Sequence, residues 1–195
     1  MRYGPDHKQQ TRERVLAEAA KAIRAEGPHQ IAVAGVMARA GLTQGGFYAH
    51  FASKDDLVAS TIDYMFGDSA ERWRLETEGK PPAEALAAYI DFYLSKLHRD
   101  ARNAGCPLPF LSSDLPRLGE AARETFAAGV SRLRARIAGQ LTALGRPDPE
   151  ADASSMLSEL VGALQLARAE PDPAASDAIL ERSKAALKRR FALES

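Results

Sequence analysis

The sequence predicts an all-α protein of about nine helices, and three observations carry that prediction. Apolar residues recur at spacings of three and four along almost the whole chain. No stretch alternates with period two, and no Asn-Gly or Asp-Gly pair signals a hairpin. Gly-Pro clusters punctuate the periodic segments, as helix ends require.

In order, Val15/Leu16, Ala19/Ala20 and Ile23 mark a first helix over 11–26, stopped by Gly27-Pro28. Val33, Val36, Met37 and Ala40 share one face of a short second helix over 31–40, ended by Gly41. Leu42 begins a tight connection, and Thr43 is placed to cap a third short helix running to about residue 50. Ser53, with Asp56 three residues on, resembles a capping box. It opens a long helix over 54–78 carrying Leu57, Ile62, Met65, Phe66 and Trp73. Gly79-Lys80-Pro81-Pro82 breaks the chain, and Leu86, Tyr89/Ile90, Tyr93 and Leu97 then form one stripe of a helix over 83–98. Residues 103–111 are less regular and hold one short helix. The clearest pattern is Leu118, Ala122, Phe126, Val130, Leu133, Ile137, Leu141 and Leu144, one apolar face of a long amphipathic helix closed by Gly145 and Pro147. Two last helices cover 149–168 and 174–191.

Composition narrows the classes. The 195 residues suit one domain, or a small domain joined to a medium one. A single cysteine excludes an intramolecular disulfide and a zinc site built on several thiolates. His98 has no second His or Cys at ligand spacing, so no metal is expected, and no cofactor either. No uncharged stretch reaches the roughly 18 residues of a membrane span. The first six residues carry no apolar run, so no leader peptide is expected. These features predict a cytoplasmic protein without a membrane partner. The 26 basic and 26 acidic residues cancel overall. They are not evenly spread: residues 1–54 carry eight Lys/Arg against four acids, a net +4, which leaves −4 on the rest. Such asymmetry suggests two parts with different partners.

The informative segment is 31–54. Two short helices joined at Ala40-Gly41-Leu42 form a helix-turn-helix. The second carries Thr43, Gln44, Gly45, Gly46, Tyr48 and His50 beside only two large apolar residues, Phe47 and Phe51. Two adjacent Gly cost a helix about 1 kcal/mol each against Ala. Close approach to another surface is a reason to keep them. The floor of the DNA major groove, which admits a helix, is such a surface.

The run Ala40-Gly41-Leu42-Thr43, then Gly46-Phe47-Tyr48-Ala49-His50-Phe51, then Ser53-Lys54 and Leu57, resembles the DNA-binding region of the tetracycline-repressor (TetR) family. The likeness covers roughly the first quarter of the chain. It implies a three-helix DNA-binding domain over 1–53, followed by a helical ligand-binding and dimerisation domain over 54–195. It also implies roles: Thr43 as a cap and phosphate contact, Gln44 as a reader of base edges, and Gly45 and Gly46 as points of close approach. Tyr48 and His50 resemble the family's phosphate-contacting pair, and Lys54 would hold a further phosphate at a helix start. Phe47 and Phe51 should pack inside. Ala32 departs from the family's usual Thr or Ser, forgoing a cap worth about 1 kcal/mol and one DNA contact.

The resemblance further implies a homodimeric repressor binding a near-palindromic operator and released by a small, largely apolar effector. Trp73, Tyr89, Phe92, Tyr93, Phe110 and Phe126 lie on helices that line the effector cavity in family members. The segment 156–166 is apolar around much of its circumference and needs cover on two sides. A second subunit can supply one side, which nominates Met156, Leu160, Val161 and Leu164, with Ile179, Leu180 and Leu187 of the last helix. Cys106, between Gly105 and Pro107, offers an alternative: a regulator that senses oxidants or electrophiles through a thiol. A small all-α enzyme using Cys106 or His98 explains neither the glycine pair nor the phosphate-contact run. A protein that compacts DNA without sequence preference usually carries a large positive charge, absent here.

Overall fold

A computed structural model describes residues 5–101 and 103–193. Residues 1–4, read above for a leader, lie outside them. Among the described residues the protein is all-helical, with nine α-helices and two 3₁₀ segments. They are α1 (Pro5–Glu26), α2 (Val33–Arg39), η1 (Gln44–Ala49), α3 (Lys54–Thr77), α4 (Pro82–Tyr93), α5 (Lys96–Asp100), α6 (Leu108–Leu111), η2 (Leu115–Arg117), α7 (Glu120–Ala143), α8 (Pro149–Ala169) and α9 (Pro173–Arg190). Here η1 and η2 are the 3₁₀ segments. None of the helices is long and apolar enough to cross a membrane.

The chain forms two compact units, one of Met1–Asp68 with Asn103–Gly129, the other of Ser69–Arg102 with Val130–Ser195. The division falls within α3 and within α7. In the first unit α1 packs on α2, and α2 on η1. Val15, Leu16, Ala19 and Ile23 meet a core that also holds Val36, Met37, Phe47, Phe51, Leu57 and Ile62. Phe66 of α3 lies directly against Gly129 of α7, where a Cβ atom would fall 2.2 Å from its ring. In the second unit α8 packs along α9, and both contact α4.

Glycine ends two helices where the sequence placed it. Gly41 has φ +73°. Its N–H bonds the Ala38 carbonyl at 3.0 Å while Leu42 N–H reaches Met37 at 2.9 Å, a Schellman closure of α2. Gly145 (φ +72°) closes α7 in the same way, through Thr142 and Leu141. At the other ends, Asp148 and Asp172 cap α8 and α9 through Ala151 and Ala174/Ala175.

Four local expectations change. First, α1 begins at Pro5, earlier than residue 11; proline is tolerated in a first helical turn, where its missing N–H has no partner to lose. Second, the expected helix over 83–98 is two. It breaks at Leu94, and Ser95 caps α5 by accepting the His98 N–H at 3.1 Å. The break turns Leu97 outward, 76% exposed, off the stripe it shares in sequence with Tyr93. Third, the element after the turn is 3₁₀ rather than α, consistent with the low helix propensity of adjacent glycines. Fourth, the Thr43 hydroxyl makes no capping bond; its carbonyl accepts the Gly46 N–H at 3.1 Å instead. Ala32 stands at the start of α2 without a side-chain cap, as its methyl group requires.

Candidate nucleic-acid interface

The sequence of η1 sorts its side chains by chemistry. Phe47 and Phe51 are buried, with their rings 5.6 Å apart and nearly parallel. Between them in sequence, Tyr48 is 79% exposed, and its ring meets only the edge of Phe47 at 5.2 Å. Two buried anchors therefore fix a short element whose other residues face out. Thr43, Gln44 and Gly45 are exposed and Gly46 is half-buried.

Among the described residues nothing requires glycine at either position of the pair. Neither Gly45 nor Gly46 adopts a positive φ. A Cβ atom on Gly45 would meet nothing within 4 Å, and one on Gly46 only Met37 and Thr43 at ordinary contact distance, 3.8 and 4.0 Å. The fold would accept alanine at both, with a gain in helix propensity.

His50 closes the element, half-buried, with Nδ1 buried and without a hydrogen-bond partner. Burial, then the positive charges of Lys8 and Arg12, hold its imidazole below the ordinary value of 6.5. Sequence reasoning missed those two α1 residues. Their spacing of four on a basic stretch was the available signal, but their proximity to His50 spans some forty positions. The Arg12 guanidinium lies 4.9 Å from the centre of the Phe51 ring and donates to Ser60 Oγ at 2.8 Å.

Lys54 opens α3 and is exposed, its ammonium donating to the His29 carbonyl at 3.1 Å. The box at this helix start is offset by one residue. Ser53 Oγ accepts the Asp56 N–H at 3.0 Å, while the Asp56 carboxylate accepts from Ala52, not Ser53, at 2.8 Å. Pro28, His29, Lys54, Asp55, Arg117 and Glu120 are among the residues around an adjacent cavity of about 340 Å³.

The other nominated residues distribute as follows. Trp73, Tyr89 and Tyr93 form a buried aromatic run in the second unit, with centroids 4.6 and 5.8 Å apart. Phe92 stacks on His98 at 5.2 Å, and the Arg72 guanidinium covers it. Phe110 and Phe126 belong to the first unit, where Phe126 meets Phe66 edge-on at 5.6 Å. Cys106 forms no disulfide and is 5% exposed, beside Gly105, whose carbonyl accepts a bond from buried Arg24 at 3.0 Å. Of the residues nominated for a subunit interface, Met156, Leu160, Leu164, Leu180 and Leu187 are buried within the single chain. A helix apolar on most sides presents one side to its own core, and these residues occupy it. Val161 and Ile179 are only half-buried, and Leu166, not nominated, is 63% exposed. Among the described residues no group of three His, Cys, Asp or Glu is placed to hold a metal ion.

Comparison with known proteins covers nearly the whole chain. Residues 15–61 match the family described as bacterial regulatory proteins, tetR family. Residues 82–182 match the C-terminal domain of LmrA/YxaF-like transcriptional regulators. An uncharacterised HTH-type transcriptional regulator of Mycobacterium tuberculosis strain H37Rv is 32% identical over 171 residues, covering 83% of this chain and 86% of that protein. A TetR transcriptional regulator of Chloroflexus aurantiacus has a similar crystal structure: TM-score 0.81, 28% identity, 96% of each chain covered. The reduced form of Escherichia coli NemR shares the fold at a TM-score of 0.80 and 20% identity, over 92% of this chain and 96% of that one.

Proposed function

The chain belongs to the tetR family of bacterial regulatory proteins, and from that premise we propose that it is a repressor, binding a near-palindromic operator as a homodimer and released by a small effector. It is a transcriptional regulator rather than an enzyme, as its relatives and both of its matched domains are. The observation that carries the DNA-reading assignment is the glycine pair: exposed or half-exposed, unstrained and unneeded by the fold, beside a Tyr48 that two buried phenylalanines hold outward.

In this reading η1 enters the major groove. Gln44 meets a base edge, where its amide pairs best with adenine. Gly45 and Gly46 let the backbone approach the duplex. Thr43, Tyr48 and His50 bind phosphates, and Lys54 releases the His29 carbonyl to bind another. Phosphate contacts set register and carry no sequence information. The functional division at residue 53 is part of this proposal, with DNA contacts over 1–53 and effector binding and dimerisation over 54–195. Two such elements reach successive major grooves about one helical turn apart, hence the near-palindrome. A protein that acts on bacterial DNA works in the cytoplasm.

The effector is a largely apolar molecule, bound among Trp73, Tyr89, Phe92 and Tyr93 of the second unit; Phe110 and Phe126 belong to the first unit and remain candidates from the resemblance alone. By linkage it lowers DNA affinity by the factor by which DNA lowers its own. The dimer forms through α8 and α9, with Val161, Ile179 and Leu166 at the contact and Met156, Leu160, Leu164, Leu180 and Leu187 supporting it from beneath.

Binding-site selection from a randomised duplex with the purified chain tests the reading. A near-palindrome should be enriched, and Gln44→Ala should relax preference at one or two positions. Recovery of no common sequence would remove the operator reading. Relative affinities unchanged by Gln44→Ala would remove its role as reader.

A further inference from the structure

We propose that the opening turns of α1 form a second phosphate-binding element, in which Lys8 and Arg12 flank His50 and hold the DNA backbone beside η1. The proposal rests on the DNA-binding reading above and adds residues that the helix-turn-helix motif does not contain.

The geometry starts from Arg12. Its guanidinium is fixed over the Phe51 ring and tied to Ser60, so it is held at the end of η1 that carries His50. Lys8 stands one turn earlier on the same face of α1, because residues four apart on a helix are neighbours. Neither cation has a carboxylate within ion-pair distance among the described residues. The nearest acid in the network, Asp56, is occupied: it accepts from Ala52 N–H and from the Ser60 hydroxyl, and Arg12 reaches it only through that hydroxyl.

Two like charges four apart destabilise a helix, where an acid at one position would stabilise it. Here they also face an imidazole whose pKa they depress. Three basic groups from two elements thus gather, and among the described residues no carboxylate pairs directly with Lys8 or Arg12. A bound polyanion offsets that repulsion. The DNA backbone is the anion that adjoins Tyr48 and His50 in the reading above. His50 joins the cluster as a neutral donor. Its buried Nδ1 meets no partner of the chain, which leaves Nε2 as the ring nitrogen for the DNA, and in the tautomer protonated there the neutral Nε2–H can donate to a phosphate oxygen.

The test uses the full-length chain and a fluorescent duplex of about 30 base pairs of arbitrary sequence, since phosphate contacts do not depend on sequence. Anisotropy titrations over a range of salt concentrations give the slope of log K against log salt. Each phosphate contact removed reduces the steepness of that slope by about 0.9. Lys8→Gln should lower it by that amount for each bound subunit, with a matching loss of affinity at low salt. Lys8→Arg should keep the wild-type slope. Lys8 is exposed and its removal relieves the like-charge pair, so the variant's thermal midpoint should be no lower than the wild type's, separating contact from folding. A wild-type slope and affinity in Lys8→Gln would overturn the α1 contact while leaving the motif's contacts standing. Absence of salt-dependent binding by the wild type would overturn both.

Discussion

Two regions of the molecule, the helix-turn-helix and the last two helices, treat their charges differently. Around α8 and α9 the cations meet acids of the same chain. Arg99 bonds Asp177 and Ser176, Lys188 bonds Asp91, Arg190 bonds Glu159, and Arg146 bonds Asp152, each within 3.0 Å. Around the helix-turn-helix, Lys8, Arg12, Arg14 and Arg39 meet no carboxylate among the described residues, and Lys54 is bonded only to a backbone carbonyl. The same contrast appears in packing. The rows of α8 and α9 are largely buried, with Leu166 exposed, whereas the segment from Thr43 to Phe51 buries two rings, Phe47 and Phe51, and leaves its other residues exposed or half-buried. The difference teaches where charge is left over: the cations beside α8 and α9 that bond Asp91, Asp152, Glu159 and Asp177 are paired within the chain, whereas Lys8, Arg12, Arg14 and Arg39 keep positive charge free for a partner.

If that contrast is right, substitutions in the second unit should act on stability and those on η1 on binding. The largest effect is expected at Leu160, fully buried on α8. Leu160→Ala removes buried methyl groups and leaves a cavity, at a cost of about 2–5 kcal/mol. Urea denaturation should show the midpoint fall by that measure. A midpoint within error of wild type would mean that α8 is not packed as described.

Next comes Gly129, against which the Phe66 ring lies. A methyl group there would stand 2.2 Å from the ring and must push α3 from α7 or tilt the phenyl. Overpacking of this kind costs about 1–3 kcal/mol. Phe66→Leu added to Gly129→Ala should recover part of the loss. Equal loss in the single and double variants would show that the ring is not the obstacle. This seat lies in the same unit as η1, so the experiment also shows that the unit with unmet charges has a firm interior.

Much of this was legible in the sequence, for reasons that differ by residue. Gly41 and Gly145 announced helix ends because a left-handed closure is nearly reserved to glycine. The Phe47/Phe51 pair announced its burial because no other large apolar residue lies nearby in sequence. The break at Leu94 was hidden by an unbroken apolar stripe, though Ser95 is a capping residue and was there to be read. The rows on α8 were visible as apolar, but which side meets the chain's own core depends on where α4 and α9 pack. The meeting of Lys8 and Arg12 with His50 is likewise tertiary, since no local pattern joins positions so far apart.

A smaller effect separates binding from folding on η1 itself. Tyr48→Phe removes one exposed hydroxyl and no packing. Stability should stay within about 0.5 kcal/mol of wild type, the usual range for surface changes. Affinity should fall by about 1 kcal/mol per contact, roughly fivefold, and equally for all operator variants. Competition binding with single-base operator variants measures this. A loss confined to one base position would make Tyr48 a reader of sequence rather than a phosphate contact.

The smallest effect is the pH response of His50, and it tests the unmet charge most directly. Burial and the Lys8 and Arg12 charges hold its folded-state pKa below 6.5. Above that value the ring is neutral in both the folded and the unfolded chain, and its contribution to stability is fully present. As pH falls through 6.5 the unfolded ring takes up a proton while the folded ring resists, so the unfolded state binds more protons and stability declines until the folded ring also titrates. His50→Gln should flatten that part of the pH–stability curve. An NMR titration of the imidazole should place Lys8→Gln between wild type and the ordinary value, because burial and Arg12 still act. If the His50 titration is unmoved by loss of Lys8, the α1 cation does not face the ring, and the contrast between the regions rests on packing and on the pairing of the other cations.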